Sequence, residues 1–530
     1  MDIVGEKNIG ALWDELAQVH AAKTALIFEN ACGDTCEFTY AELNDDINRA
    51  ANLFLELNIR KGDKVAVQVH NSPEFLTSWF GLAKIGAIMI PINVHYRHEE
   101  CAHILKKCAP KALIIEEQFL QIHQEIQQQQ DITILHTLIA RTDHDTAHPK
   151  TLNYNAMLRK QTTTLKEHVF VSCDDPAEII FTSGTTTHPK GVVITHYNLC
   201  FAGRYTSWQV GIDSDDRYLT MMPACHIDFQ CTAAMPTFAV GATFIMLEKY
   251  SARKFWRQVC LHRATLTECI PLMIRTQMLQ PQKAWEKNHC LRDVLFYLTL
   301  SDQEKNAFME RFNVSLFTSY GMTETIVGIL GDRPGDRRKW PSIGRTGICY
   351  DVEIQDKHGN EIPPNEIGEI AIKGIPGKTL FKEYYEEPEA TAETLTSDGW
   401  LKTGDKGYTD KDGYFYFVDR KLNLIKRSGE NIASTEIENL LVSHPLIMDA
   451  AVVGIPDTMC DETVKAFIIV KDGESVTEKE ILQFCSERIA KFKVPSAIEI
   501  RKTFPRTCVG KVQKSILRKE SVHQNSPCGD

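Results

Sequence analysis

The stretch Thr182-Ser183-Gly184-Thr185-Thr186-Thr187-His188-Pro189-Lys190-Gly191 concentrates hydroxyls, glycines and one ammonium group directly after an apolar run at 177–181. A turn of this composition aims backbone N–H groups, hydroxyls and a positive charge at phosphate oxygens. It is not a Walker A loop, because Lys190 precedes the last glycine instead of following it. A threonine-rich surface turn is the commoner meaning of such a cluster; the strand ahead of it and the Pro-Lys-Gly ending favour phosphate. Three later stretches carry complementary groups. Tyr320-Gly321-Met322-Thr323-Glu324 offers a ring and a carboxylate, Thr403-Gly404-Asp405 an acceptor-only carboxylate in a turn, and Pro505-Arg506-Thr507-Cys508-Val509-Gly510-Lys511 an ammonium just after a glycine. Taken singly, each also has an ordinary meaning: a surface glutamate, a common turn, a solvated lysine.

The elements that must position these groups follow from periodicity. Leu43, Ile47, Ala50, Ala51 and Phe54 fall on one helical face behind a Thr39-x-x-Glu42 capping box. A strand at 64–69, a helix at 73–85 and a buried-type strand at 87–92 continue an α-β-α-β order, which predicts a largely parallel sheet with helices on its faces. Further strands are expected at 177–181 and 242–247, and the Gln-rich 124–130 reads as a surface loop or helix end. From Gly368 the texture becomes short β-like runs (369–373, 414–418) with turns at Asp398-Gly399 and Asp412-Gly413, a small β subdomain. Beyond Asp419-Arg420, helices at 436–441 and 478–490 and strands at 450–454 and 466–470 predict a compact α+β unit. The fold class is therefore α/β: a large N-terminal domain (1–419) of parallel-rich sheets packed with helices plus the β subdomain, a small C-terminal α+β domain (420–518) and a flexible tail (519–530).

At 530 residues, two or more domains are the default, and 43% hydrophobic with 24% charged residues excludes disorder and disulfide scaffolds. A net charge of -11 argues against nucleic acid as a partner. The basic residues crowd late, among them Lys421, Lys426, Arg427, Lys491, Lys493, Arg506, Lys511 and Lys514, where they would steer a small polyanion. The 16 cysteines include no C-x-x-C pair, so they read as reduced thiols rather than zinc or dithiol sites. The N-terminus lacks an apolar signal core, no run approaches the roughly 20 apolar residues of a membrane span, and Cys528 is misplaced for prenylation. A cytoplasmic protein without membrane partner is expected; a homo-oligomer is compatible with the sequence.

The hydroxyl-rich loop resembles the signature of the adenylate-forming (AMP-binding) superfamily, which includes acyl-CoA synthetases, and the later stretches resemble its other motifs in order along nearly the whole chain. The resemblance implies the adenylate-forming fold with a mobile C-terminal domain, and an ATP-dependent acid:CoA ligase that forms an acyl-adenylate. It implies that Thr182, Ser183, Gly184, Thr185, Thr186 and Lys190 hold ATP phosphates, Tyr320, Gly321 and Thr323 the adenine side, Asp405 with Arg420 the ribose, and Glu324 a Mg2+ ion. Lys511 would be the catalytic lysine, working beside Lys190 and Glu324. Two anions brought to about 4 Å repel by roughly 4 kcal/mol at an effective dielectric of about 20, so cations are needed where carboxylate meets phosphate. Arg420, Lys421 and Leu422 would form the hinge, and Lys426, Ser428 and Gly429 the coenzyme A route. The chain departs from the pattern at Leu422, where an Asp or Lys is usual, and at Tyr297-Leu298-Thr299-Leu300-Ser301, which replaces a glycine-rich adenine segment.

Met222-Pro223-Ala224-Cys225-His226-Ile227-Asp228 resembles the segment whose histidine closes the acyl pocket. Asp228 there either meets a cationic substrate or caps a helix at 229–235. Across its length the chain is similar to the crotonobetaine/carnitine–CoA ligases, notably at Trp340-Pro341-Ser342-Ile343-Gly344, at Gly374-Ile375-Pro376-Gly377-Lys378-Thr379 and at His226-Ile227-Asp228, which implies a trimethylammonium acid as substrate. Trp208, Phe229 and Tyr320 are candidate aromatic faces for that cation. A ligase for another short or medium acid, an adenylation enzyme serving a carrier protein, and a nucleotide-binding regulator that lost turnover stand as alternatives.

Overall fold

The computed structural model describes residues 2–130, 132–142, 151–182, 189–297, 300–335, 337–420, 423–427, 430–457, 461–507 and 510–524. The capping box at Thr39 forms as expected: the Thr39 hydroxyl accepts the Glu42 N–H at 3.2 Å, and the Glu42 carboxylate accepts the Thr39 N–H at 2.8 Å. The helix it starts, Tyr40–Glu56, buries Leu43, Ile47, Ala50, Ala51 and Phe54. It lies so close to the helix Pro73–Lys84 that a Cβ at Gly81 would sit 2.8 Å from that of Ala50.

Among the described residues the strands gather into four sheets. One carries the parallel strands Ala112–Ile115, Lys64–Gln68, Ile88–Pro91 and Pro176–Thr182, closed by Lys190–Thr195, which turns back antiparallel. A larger sheet places Leu316–Tyr320, Asp293–Phe296, Leu266–Cys269, Arg217–Thr220, Thr243–Leu247 and Thr24–Glu29 side by side, all parallel. Their burial on both faces explains the unbroken apolar runs. The strands Asp351–Gln355, Gly368–Lys373, Trp400–Thr409 and Phe415–Arg420 form the antiparallel β subdomain.

From Ile425 a separate sheet begins, dominated by the hairpin Ile447–Asp457 with Asp461–Val470. Its two faces hold separate apolar clusters, one with Ile437 and Ile481 from the flanking helices and one with Phe504 and Leu517. Two expectations change here. The expected helix at 478–490 ends at Ser486. The expected loose tail at 519–530 starts inside the helix Lys514–Gln524, because Leu517 and Ser521 are buried and Arg501 pairs with Glu520 at 2.6 Å. Residues 525–530 lie outside the described residues. The Gln-rich 124–130 is the second half of the helix Leu120–Gln130. Among the described residues no helix is long and apolar enough to cross a membrane.

Glu178, fully buried on the strand leading to the hydroxyl-rich loop, is pushed up to about 8 by burial, with the nearby Gln230 amide opposing the shift. Its proton is retained in the fold at neutral pH but lost on unfolding, so stability falls as pH rises from the unfolded carboxyl value through about 8. Glu178→Gln is therefore expected to melt higher than the parent at pH 8, by an amount equivalent to about 2–4 kcal/mol, and to gain little at pH 4.5. Thermal melting across that range checks this; a gain independent of pH would contradict it.

Candidate active site

Four neighbouring parallel strands end at Tyr320, Phe296, Cys269 and Thr220, and the candidate residues collect around those carboxyl ends, where open parallel sheets bind ligands. The Tyr320 hydroxyl donates to Asp405 Oδ2 at 2.7 Å, joining two motifs 85 positions apart. Asp405 is buried in the strand Trp400–Thr409, its N–H donating to the Thr403 hydroxyl at 3.1 Å, with Arg420 as its cross-strand neighbour. An acceptor-only carboxylate beside a phenol suits a vicinal diol.

On the phosphate side, Thr182 and Lys190 face each other across the hairpin; residues 183–188, including Ser183, Gly184, Thr185 and Thr186, lie outside the described residues. The Lys190 ammonium lies 4.7 Å from the centre of the Tyr384 ring, and the Tyr384 hydroxyl donates to Glu324 Oε1 at 2.6 Å. Burial, then the Glu324 charge, raises the Tyr384 phenol, so it stays a proton donor. Glu324 is buried on the short turn Thr323–Thr325 beyond Gly321. Tyr384 is a site residue that the sequence did not announce: Tyr384-Tyr385-Glu386 has no motif or spacing that marks it. The hard carboxylate oxygens of Glu324, with the Lys190 ammonium across the Tyr384 ring, fit a Mg2+ ion.

On the acyl side, the His226 Nδ1 lies 3.2 Å from Asp228 Oδ2. Burial pushes the Asp228 carboxyl up, but the His226 ring and then the Lys511 ammonium outweigh it and hold it below the usual range. The side chain keeps 27% of its accessible surface, so it is open to a ligand. Asp228 is not a helix N-cap. It is the first residue of the π-helical stretch Asp228–Ala234, whose capping position, Ile227, makes no side-chain cap bond. The three aromatic candidates for the ammonium are placed elsewhere: Trp208 lies 5.1 Å under the Arg333 guanidinium, Phe229 is packed between Phe75 and Phe244, and Tyr320 serves Asp405. In the atypical segment, Tyr297 turns toward Tyr218, Glu268 and Asp228, while Ser301 caps the helix Asp302–Phe312. Leu298 and Thr299 lie outside the described residues.

Lys511 is exposed, and it reaches this site on a tight hairpin. The Thr507 N–H donates to the Lys511 carbonyl at 2.8 Å, and Gly510 takes a left-handed φ of +74°. A Cβ on Gly510 would come within 2.7 Å of Ile270 Cδ1, so only glycine satisfies both the turn and the contact. The hairpin thus sits directly over the end of the strand Leu266–Cys269. Arg506 braces it from inside, donating to the Gly510 carbonyl at 2.8 Å and pairing with Asp449 Oδ2; Arg275 of the large domain donates to Asp449 Oδ1 at 2.8 Å. At the connection, the Ser434 hydroxyl donates to the buried Asp419 at 2.6 Å. Of the hinge and coenzyme A candidates, Lys421, Leu422, Ser428 and Gly429 lie outside the described residues, and Arg420 and Lys426 stand in strands at the edges of their sheets' connecting segment.

The profile of AMP-binding enzymes matches residues 13–385, and that of the AMP-binding enzyme C-terminal domain matches residues 436–511. The chain belongs to the AMP-binding enzyme family. This AMP-binding enzyme is 55% identical over 521 residues to a crotonobetaine/carnitine–CoA ligase of Escherichia coli, a match covering 98% of this chain and 100% of the relative. It is 54% identical over 518 residues to the enzyme of that name from Proteus mirabilis, with the same coverage. Among solved structures it resembles the anthranilate CoA ligase AuaEII in complex with anthranoyl-AMP, with a TM-score of 0.88, 26% identity and 97% of each chain covered.

Proposed function

We propose that this AMP-binding enzyme is a cytoplasmic ATP-dependent ligase that joins carnitine, crotonobetaine or a related betaine to coenzyme A through an acyl-adenylate. The observation that carries the reading is the seating of the Lys511 hairpin against Ile270, on the same row of strand ends where Tyr320 bonds Asp405. The near-full-length relatives supply the substrate class.

In the first step the acid's carboxylate oxygen attacks the α-phosphorus of ATP, and the bond to the bridging oxygen breaks to release pyrophosphate. Thr182, Lys190 and the intervening loop hold the outgoing phosphates, Asp405 accepts the ribose hydroxyls with Arg420 in support, and Gly321 and Thr323 line the nucleotide beside Tyr320. Lys511 offsets the negative charge shared between carboxylate and α-phosphate in the transition state. Glu324, fixed by Tyr384, would hold Mg2+, which supplies charge neutralisation to the leaving pyrophosphate. In the second step the small domain, residues 420–518, turns about 420–422, and Lys426, Ser428 and Gly429 guide the pantetheine arm. The coenzyme A thiolate attacks the acyl carbon and AMP leaves.

Purified protein given crotonobetaine or L-carnitine with Mg-ATP is expected to exchange labelled pyrophosphate into ATP without coenzyme A, and to release AMP and acyl-CoA once coenzyme A is added. Formation of ADP and phosphate, or exchange with uncharged acids only, would overturn the reading. Transfer to a carrier protein but not to free coenzyme A would point to the carrier-linked alternative.

A further inference from the structure

Glu268 is an anomaly in the strand Leu266–Cys269. It is fully buried, and among the described residues it forms no ion pair. One oxygen accepts the hydroxyl of Thr220 on the adjacent strand. The other accepts no hydrogen bond of normal geometry, although the Tyr297 hydroxyl lies beside it, and the fully buried Tyr218 hydroxyl is likewise without a partner of normal geometry. Burying an unpaired carboxyl group is costly, and adenylate formation at Lys511 has no use for a second acid at this depth.

The surroundings give the site a direction. Asp228, Glu268, Tyr218 and Tyr297 lie within one another's electrostatic reach, and the cationic Lys511 and the His226 ring act on Asp228. An acid whose carboxylate meets Lys511 near Asp228 has Glu268 and the two phenols in the same cluster to receive its far end. Carboxylates backed by aromatic faces suit a soft, weakly hydrated cation that cannot donate hydrogen bonds.

We propose that Glu268 is the specificity-determining counter-charge for a quaternary ammonium group, which is seated against Glu268 and Asp228 beside the Tyr218 and Tyr297 rings. The proposal rests on the ligase reading above and assigns the residues that choose the acid. Burial, with the Asp228 charge adding to it against the Thr220 hydrogen bond and the nearby Tyr297 hydroxyl, pushes Glu268 up to about 8. In the empty site at pH 7 it holds its proton; an arriving ammonium favours the carboxylate, and the proton is released to solvent.

The experiment compares wild type and Glu268→Gln on two probes of one shape, 4-(trimethylammonio)butanoate and its uncharged carbon isostere 5,5-dimethylhexanoate, by pyrophosphate exchange. Wild type is expected to prefer the betaine, and E268Q to lose about 30-fold in kcat/KM for it while its activity on the isostere is unchanged or higher. Calorimetry at pH 7 in buffers of different ionisation enthalpy is expected to show proton release on betaine binding to wild type and none with E268Q. The isostere reports on folding of the variant. Equal losses on both probes, or no loss on either, overturn the assignment of Glu268 and leave the ligase reading standing; wild type that exchanges with the isostere but not with any betaine overturns the ligase's substrate and the assignment together.

Discussion

Replacing Lys511 with alanine is expected to lower acyl-adenylate formation by about 10²–10³-fold while leaving the conversion of supplied acyl-adenylate to acyl-CoA nearly intact. The expectation follows from where the hairpin lies. Gly510 contacts Ile270, and the Lys511 charge reaches Asp228, so in the proposed reaction this pose would deliver the ammonium to the place where carboxylate and α-phosphate meet. The side chain is otherwise exposed, so its loss removes a charge without leaving a cavity and the fold is not at risk. Separate half-reaction assays measure it: pyrophosphate exchange for the first step and single-turnover thioester formation for the second. Equal loss in both would contradict the assignment of Lys511 to the first step alone.

Asp449→Asn is expected to produce a weaker form of the same selective defect, about 10- to 100-fold in adenylation. Asp449 is buried and accepts from Arg275 of the large domain and from Arg506 of the lysine hairpin, so one carboxylate ties the two together. Asparagine leaves two guanidinium groups facing a neutral amide. In a fully buried network such a change costs about 3–5 kcal/mol, but Arg275 and Arg506 keep 17% and 20% of their exposure, which lowers the expected cost to about 1–3 kcal/mol. Arg275 also keeps its bond to Glu304 at 2.6 Å, which holds it in place in the variant. Because the Arg275 contact exists only while the hairpin faces the large domain, the loss falls on the first step. Loss of both half-reactions, or a lowered melting temperature that accounts for the change, would show that Asp449 serves the fold instead.

The local elements were legible in the sequence because their signals are local. Thr39 and Glu42 stand three positions apart and bond each other, and the apolar positions from Leu43 to Phe54 share a face whatever lies opposite. Strands buried on both faces betrayed themselves as continuous apolar runs, as at 177–181 and 242–247. The signal failed where tertiary packing took over. The helix Lys514–Gln524 is polar in sequence and is held by Leu517 and by pairs to Arg501, just past the strand Ala497–Ile500, and to Glu462 on the strand Asp461–Val470. The aromatic residues chosen by nearness to motifs serve Arg333, the core and Asp405, since nearness in sequence says nothing about the direction of a ring.

The sequence by itself determined the chemical class. A hydroxyl-rich loop, a Tyr-Gly-Met-Thr-Glu stretch, a Thr-Gly-Asp turn and a late Gly-Lys pair occur in one order, and that order is a property of the chain. Only the tertiary structure decided which groups act together. Tyr384 meets Glu324 across 60 positions, Tyr320 meets Asp405 across 85, and Lys511 reaches Asp228 only because a glycine hairpin fits against Ile270. Glu268 in particular reads as one acid in an ordinary strand. Its burial without an ion pair arises from the parallel register that sets it beside Thr220, with Tyr297 close by just past the end of the neighbouring strand Asp293–Phe296. Register and docking are fixed by contacts summed over whole domains, so no short stretch of sequence carries them.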